Sequence, residues 1–322
     1  MATYAKPHLA FADQVQLLKS RGLVIDDDAE AEHLLSSIGY YRLSGYWYVY
    51  RRRLDGSRRA DTFVDGTTFR QVVQLYDTDR RLKLHLLDSL ERIEIAVRVM
   101  IGFTLGRRGA YAHLAAGNLD GRFTQSRSGQ PSTHDRWLRK VLAAQGRSSE
   151  DFVQHFQSKY DGRLPVWVVT EILDFGSMSY LFQGLKSTDR NEIAARLGVV
   201  DQSGGGNGTA LANWLRVLNY VRNVCAHHSR LWNRNLVDQL APRHLRSVPD
   251  LHALARREVS HSRIYSTLCI VAFLLSRTGH GPQWTLQARD LLSTKIPSCG
   301  RGLHELGFPS GWRAEHPWTG DL

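Results

Sequence analysis

The chain has 322 residues, 42% of them hydrophobic, and a formal charge of +11 with an isoelectric point near 9.8. This supplies a sizeable core in one large domain or two modest ones, and the charge directs attention to polyanions, nucleic acid first and anionic membrane second. Three widely spaced cysteines (Cys225, Cys269, Cys299) exclude a disulfide framework or a cysteine metal site and fit a reducing cytosol.

The opening "MATYAKPHLAFADQ" has no apolar signal segment. Residues 11–38 have the pattern of two short helices split by "RGLVIDDD". The stretch "GYYRLSGYWYVYRRR" follows, and Tyr48 to Val64 is compatible with a small hairpin around "DGS". Most aromatics there read as core, while Tyr40, Tyr41 or Trp47 could stack bases and the arginines, Arg42 among them, hold phosphates. Residues 1–64 are expected to form a small, mainly helical N-terminal module.

A larger helical domain is expected over 65–322. It begins with a capping box, Thr68 with Gln71, followed by a long helix. Leu75, Leu82, Leu86, Leu90, Ile93, Val97 and Ile101 form one apolar stripe, with a bend suggested near "DTD". Glu91, Glu94 and Arg98 share a face of this helix. They read either as a solvated ion pair or as a buried acid orienting an arginine across the bundle. Residues 120–135 read as a polar loop, and a helix starts after Pro165, with Gly176 ending or bending it. The segment "DQSGGGNGT", which overlaps an inserted loop expected over 200–208, reads as a flexible linker.

Asn207 or Thr209 then caps a helix expected to reach about His228. Leu211, Trp214, Leu215, Leu218, Val221 and Cys225 give it an apolar face. Arg216, Tyr220, Asn223, His227, Arg230 and Arg234 follow at steps of three or four as a basic, RNA-facing face. On this reading His227 points with Asn223, His228 leans toward the core, and the stem of Arg222 is partly buried. Residues 261–277 form a further apolar helix, too short at "LCIVAFLLS" to span a bilayer, before an irregular tail. No lysine accompanies the glycine run, so no phosphate loop is present.

The set Arg222, Asn223, His227 and His228 suits RNA, which carries its own nucleophile. Histidine moves protons near neutral pH, and arginine stabilises charge on phosphate oxygens, with no metal or cofactor required. An arginine and two histidines at a helix C-terminus also simply complement the helix dipole.

Seven segments in order, "KPHLAFADQVQLLKSRGL", "IGYYRLSGY", "FVDGTTFRQVVQLYDTDRRL", "LERIEIAVR", "LPVWVVTEILDFGSMSYL", "LRVLNYVRNVCAHHSRLWNR" and "LGFPSGW", resemble the Abi-like abortive-infection proteins of bacteria, the AbiD/AbiF group. These are related to the HEPN superfamily, whose R-x4–6-H motif marks metal-independent RNases. The resemblance implies an all-α, HEPN-like bundle and a cytoplasmic endoribonuclease of phage defence or toxin action. Arg222 matches the motif arginine, Asn223 the adjacent polar residue and His227 the histidine, while His228 fits a looser spacing. RNA is the implied partner, a cognate noncoding RNA included, and a homodimer would bring two motif helices together. The competing readings are a non-catalytic RNA-binding or assembly protein and a DNA-binding regulator.

Overall fold

The computed structural model describes residues 7–319 except 55, 57, 127, 128 and 257. Helices α1 (Phe11–Ser20) and α2 (Asp28–Ile38) fall on either side of the expected break. Asp27 caps α2 by accepting the Glu30 amide hydrogen at 3.0 Å. Gly39, at φ +95°, turns the chain directly into α3 (Tyr40–Trp47). Leu43, Tyr46 and Trp47 are buried, and the Tyr40 ring meets Trp47 edge-on at 4.8 Å. Most aromatics here are thus core, whereas Tyr41 is 91% exposed. Strands β1 (Arg51–Arg53) and β2 (Arg59–Phe63) then pair antiparallel as a two-stranded sheet. Asp55 and Ser57 of the expected "DGS" turn lie outside the described residues.

Helix α4 (Phe69–Gly106) runs unbroken for 38 residues, with residues 77–79 of the suggested bend inside it. Its capping box forms as expected: Thr68 Oγ1 accepts the Gln71 amide at 3.1 Å, and Gln71 Oε1 accepts the Thr68 amide at 3.0 Å. All seven stripe residues are at most 1% exposed. The supposed loop over 120–135 is shorter than expected. Asp120 caps α5 (Gly121–Thr124), and Ser132 with Asp135 forms a second capping box for α6 (Thr133–Arg147). Helix α7 (Asp151–Lys159) precedes α8 (Val166–Ile172), which follows Pro165.

Gly176 neither ends nor bends a helix. Helix α8 stops at Ile172, and Asp174 caps α9 (Phe175–Gly184) through the Ser177 amide at 2.6 Å. Gly176 sits in the first turn of α9, where an added Cβ would lie 3.5 Å from the Asn219 side chain.

The glycine-rich segment is not a free linker. After α10 (Ser187–Arg196), the Asp201 carboxylate accepts the amides of Ser203 and Gly205, and Val200 bridges Gly206. A Cβ on Gly206 would lie 1.8 Å from the Asn191 carbonyl oxygen, and one on Gly208 2.5 Å from Arg190 Cβ. These glycines permit backbone contact, and close contact rather than looseness explains them. Asn207 then caps α11 (Gly208–Ala226) through the Ala210 amide at 2.9 Å, leaving Thr209 inside the helix.

Helix α11 is central, packed against α4, α9, α10, α12 (Pro242–Arg246) and α13 (Tyr265–Ser276). Helix α13 is buried on every side from Tyr265 to Leu275, which explains its uniform apolarity. Helix α14 (Gly281–Asp290) and short turns complete the chain. Apart from the small sheet the fold is all-α. No helix among the described residues is long and apolar enough to cross a membrane.

Candidate functional site

The motif helix ends earlier than its sequence pattern suggests. His227 is the cap residue, its amide donating to Asn223 O at 3.0 Å. His228 adopts φ +55°. Its amide donates to Cys225 O at 3.0 Å, and the Ser229 amide donates to Val224 O at 3.0 Å. This pair of bonds is the Schellman arrangement, with a histidine where glycine is usual. A left-handed conformation costs an L-residue about 1–2 kcal/mol. Backbone strain of this kind clusters at functional sites.

The short helix corrects the face assignment. His228 does not lean toward the core, because the chain has left helical geometry. His227 and His228 are both exposed. Arg230 and Arg234 likewise fall beyond the helix and do not continue its basic face. Arg234 folds back, its Nε donating to Tyr220 Oη at 3.1 Å. Arg230 Nη1 donates to Gly45 O. Arg42 Nη1 donates to His228 O at 2.8 Å, so Arg42 grips the protein's own histidine turn. Arg216 is exposed and paired with Asp238 at 3.4 Å. Tyr41 remains an open aromatic face beside Arg42.

Arg222 is half-buried and donates from Nη1 to Asn223 Oδ1 at 3.4 Å. Across the bundle, Glu94 is 7% exposed and accepts Arg98 Nη2 at 2.5 Å. The same Arg98 nitrogen reaches Leu173 O at 2.5 Å, tying α4 to the α8–α9 junction. Burial pushes the Glu94 carboxyl above its ordinary value. The positive charges of Arg98 and Arg222 oppose that rise, and Asp174 adds to it. Glu94 is thus a buried acid within electrostatic reach of Arg222. Glu91, one turn earlier on α4, is exposed. Arg98 also borders an open groove of about 520 Å³ with Phe103, Arg107, Trp167 and Glu171.

A second cluster was missed by sequence reasoning. Asp79 is 2% exposed, yet its carboxylate accepts Tyr46 Oη at 2.6 Å, Trp232 N at 2.7 Å and Leu231 N at 3.2 Å. Lys83, one turn on, lies 3.4 Å from Asp79 and donates to Ser229 O at 3.3 Å. Burial and the Asp79 charge raise the Tyr46 phenol, keeping it a donor. Burial first, and Asp79 second, push the Cys225 thiol up to about 12, so this cysteine is an inert core residue. The available signal was the placement of Asp79 and Lys83 among Leu75, Leu82 and Leu86 on the buried stripe. Among the described residues no group of three or more His, Cys, Asp or Glu is arranged to hold a metal.

A family model described as "Abi-like protein" matches residues 33–233, a span running from α2 through the motif helix to the residues held by Asp79. No curated protein and no solved structure matches the chain.

Proposed function

Because the chain belongs to the Abi-like protein family, we propose that it is a metal-independent endoribonuclease of the HEPN type, acting in phage defence by abortive infection or as a toxin. The observation that carries this reading is the end of α11. There two exposed histidines, one of them strained, follow an arginine that lies within reach of a buried acid. Solvated histidines are accessible to substrate. Arg222 is tied to Asn223 Oδ1 and lies within electrostatic reach of the Glu94 carboxyl.

In the proposed reaction a histidine imidazole takes the proton from an RNA 2′-OH. The freed oxygen attacks the adjacent phosphorus, and the bond to the 5′-oxygen breaks. A protonated imidazole supplies the proton to that leaving oxygen. Arg222 neutralises charge building on the non-bridging oxygens. The products are a 2′,3′-cyclic phosphate end and a 5′-hydroxyl end. Two copies of α11 facing each other in a homodimer would supply acid, base and arginine from separate chains. RNA is the partner in this reading, and the cytoplasm the compartment.

The test is cleavage of end-labelled RNA in EDTA by wild type and by Arg222→Ala, His227→Ala and His228→Ala. Cleavage that persists in chelator and disappears with Arg222→Ala supports the reading. RNA binding without any cleavage replaces it with an RNA-binding role, and a preference for duplex DNA with a regulatory one.

A further inference from the structure

The strained turn at His228 does not stand by itself; three side chains from α3 and α4 hold it and the residues after it, and a fourth fixes one of the three. Arg42 donates to the His228 carbonyl at 2.8 Å, and Lys83 to the Ser229 carbonyl at 3.3 Å. Asp79 receives the next two amides, Leu231 and Trp232, and is itself fixed by Tyr46 at 2.6 Å. Residues 228, 229, 231 and 232 thus each have a backbone atom tied to the first half of the chain. An unfavourable backbone conformation persists only where its surroundings over-determine it. Removing the clamp lets the turn relax, and the adjacent His227 relaxes with it.

We propose that Asp79 is a positioning residue for the histidine pair, acting through the Leu231 and Trp232 amides, with Lys83 and Arg42 as its auxiliaries. It does not touch substrate. A carboxylate suits the task because two adjacent amides and a phenol need three acceptor positions together, and a charged acceptor strengthens each bond. An amide at this position offers one oxygen and turns two hydrogens toward donors. The activity consequence rests on the ribonuclease reading; the structural consequence does not.

The experiment uses the full chain carrying ¹³C-labelled histidine, as wild type, Asp79→Asn, and Asp79→Asn with His228→Gly. Imidazole signals of residues 227 and 228 are assigned by loss in the single alanine variants. In Asp79→Asn both signals are expected to shift, while those of the buried His113 and His134, which lie apart from this cluster, stay in place. Cleavage is expected to fall about 100-fold in kcat, the scale of an ångström-sized misplacement, with KM within about threefold. Glycine takes the left-handed turn without support. The double variant should therefore return the His227 signal toward its wild-type position. A role in stability alone predicts no such return.

His227 and His228 signals that superimpose between wild type and Asp79→Asn would overturn the proposal. So would a double variant whose His227 signal stays displaced. If wild type cleaves no RNA, the ribonuclease reading fails while the spectra still decide the coupling. If Asp79→Asn does not fold, Lys83→Met and Arg42→Ala provide the same spectral comparison, in which shifted histidine signals support the proposal and superimposed ones overturn it.

Discussion

Replacing Glu94 separates the cost of burying a charge from the benefit of pairing it. Removing one member of a buried ion pair typically costs about 3–5 kcal/mol. Here the Arg98 side chain keeps 18% of its accessibility and a second acceptor at Leu173, so Glu94→Ala is expected to cost about 2–3 kcal/mol. At about 2 °C per kcal/mol for a chain of this size, melting should fall by about 5 °C. Glu94→Gln keeps the shape and an acceptor for Arg98 but cannot ionise. The Glu94 carboxyl lies above its ordinary 4.5 because burial outweighs the attraction of Arg98 and Arg222. A group raised on folding contributes stability that is fully present below its unfolded value and lost as pH rises through its folded value. Wild type should therefore equal or exceed Glu94→Gln near pH 4 and lose ground to it as pH rises toward 8. Urea melts across that window provide the comparison, with the exposed Glu91→Gln as control. A wild type that gains on Glu94→Gln with rising pH would refute the reasoning, since attraction by the two arginines would then exceed the burial cost. In cleavage assays Glu94→Gln should be slower than Glu91→Gln, because Glu94 is the buried member of the pair and lies within electrostatic reach of Arg222.

Other outcomes follow from single positions. His228→Gly should melt at or slightly above wild type. Relief of about 1–2 kcal/mol of left-handed strain exceeds glycine's added chain entropy of about 0.5–1 kcal/mol, and a lower melting temperature would show that the side chain itself stabilises the turn. Gly206→Ala should destabilise by about 1–3 kcal/mol or fail to fold, because its Cβ would lie 1.8 Å from Asn191 O. Gly204→Ala, at φ +80° with no atom within 4 Å, should cost about 1 kcal/mol from backbone strain alone. Calorimetry of the two variants distinguishes contact from flexibility as the reason for the glycine run. RNA affinity should fall steeply between 50 and 200 mM salt as phosphate contacts release counterions, and filter binding that shows a flat response would assign the +11 charge to another purpose.

Much of the scaffold is legible in the sequence because its signals are local. Thr68 and Gln71 announce the start of α4, Asn207 that of α11, and the leucine stripe from Leu75 to Ile101 tells which side of α4 is buried. The end of α11 is not legible. Helices commonly stop at glycine, and here the left-handed position is His228, so the periodic pattern runs on through Arg230 and Arg234 with no sign that the helix has finished. The partners of Arg42 and Arg230 are equally hidden, because an arginine that grips a distant carbonyl reads in sequence like one that waits for phosphate. Glu94 could be assigned to the inside only by its neighbours on the stripe. The meaning of Asp79 required knowing that residues 231 and 232 return to α4. In the glycine run, the composition of a loose linker and of a tight backbone crossing are the same.

The length of α4 carries a constraint of its own. Asp79 and Glu94 ride on one unbroken helix, about four turns and roughly 22 Å apart, and each addresses a different part of the α11 terminus. The stretch between them acts as a ruler. Its side chains are open to exchange wherever they face solvent, but its residue count is not. One inserted or deleted residue would rotate everything beyond it by about 100°, carrying either the acid near Arg222 or the acid beneath the histidine turn off its mark. Natural or engineered variation between Asp79 and Glu94 should therefore consist of substitutions, with insertions and deletions falling outside that stretch and clear of the Arg42–Tyr46 and Arg222–Trp232 segments, whose own spacing the clamp requires.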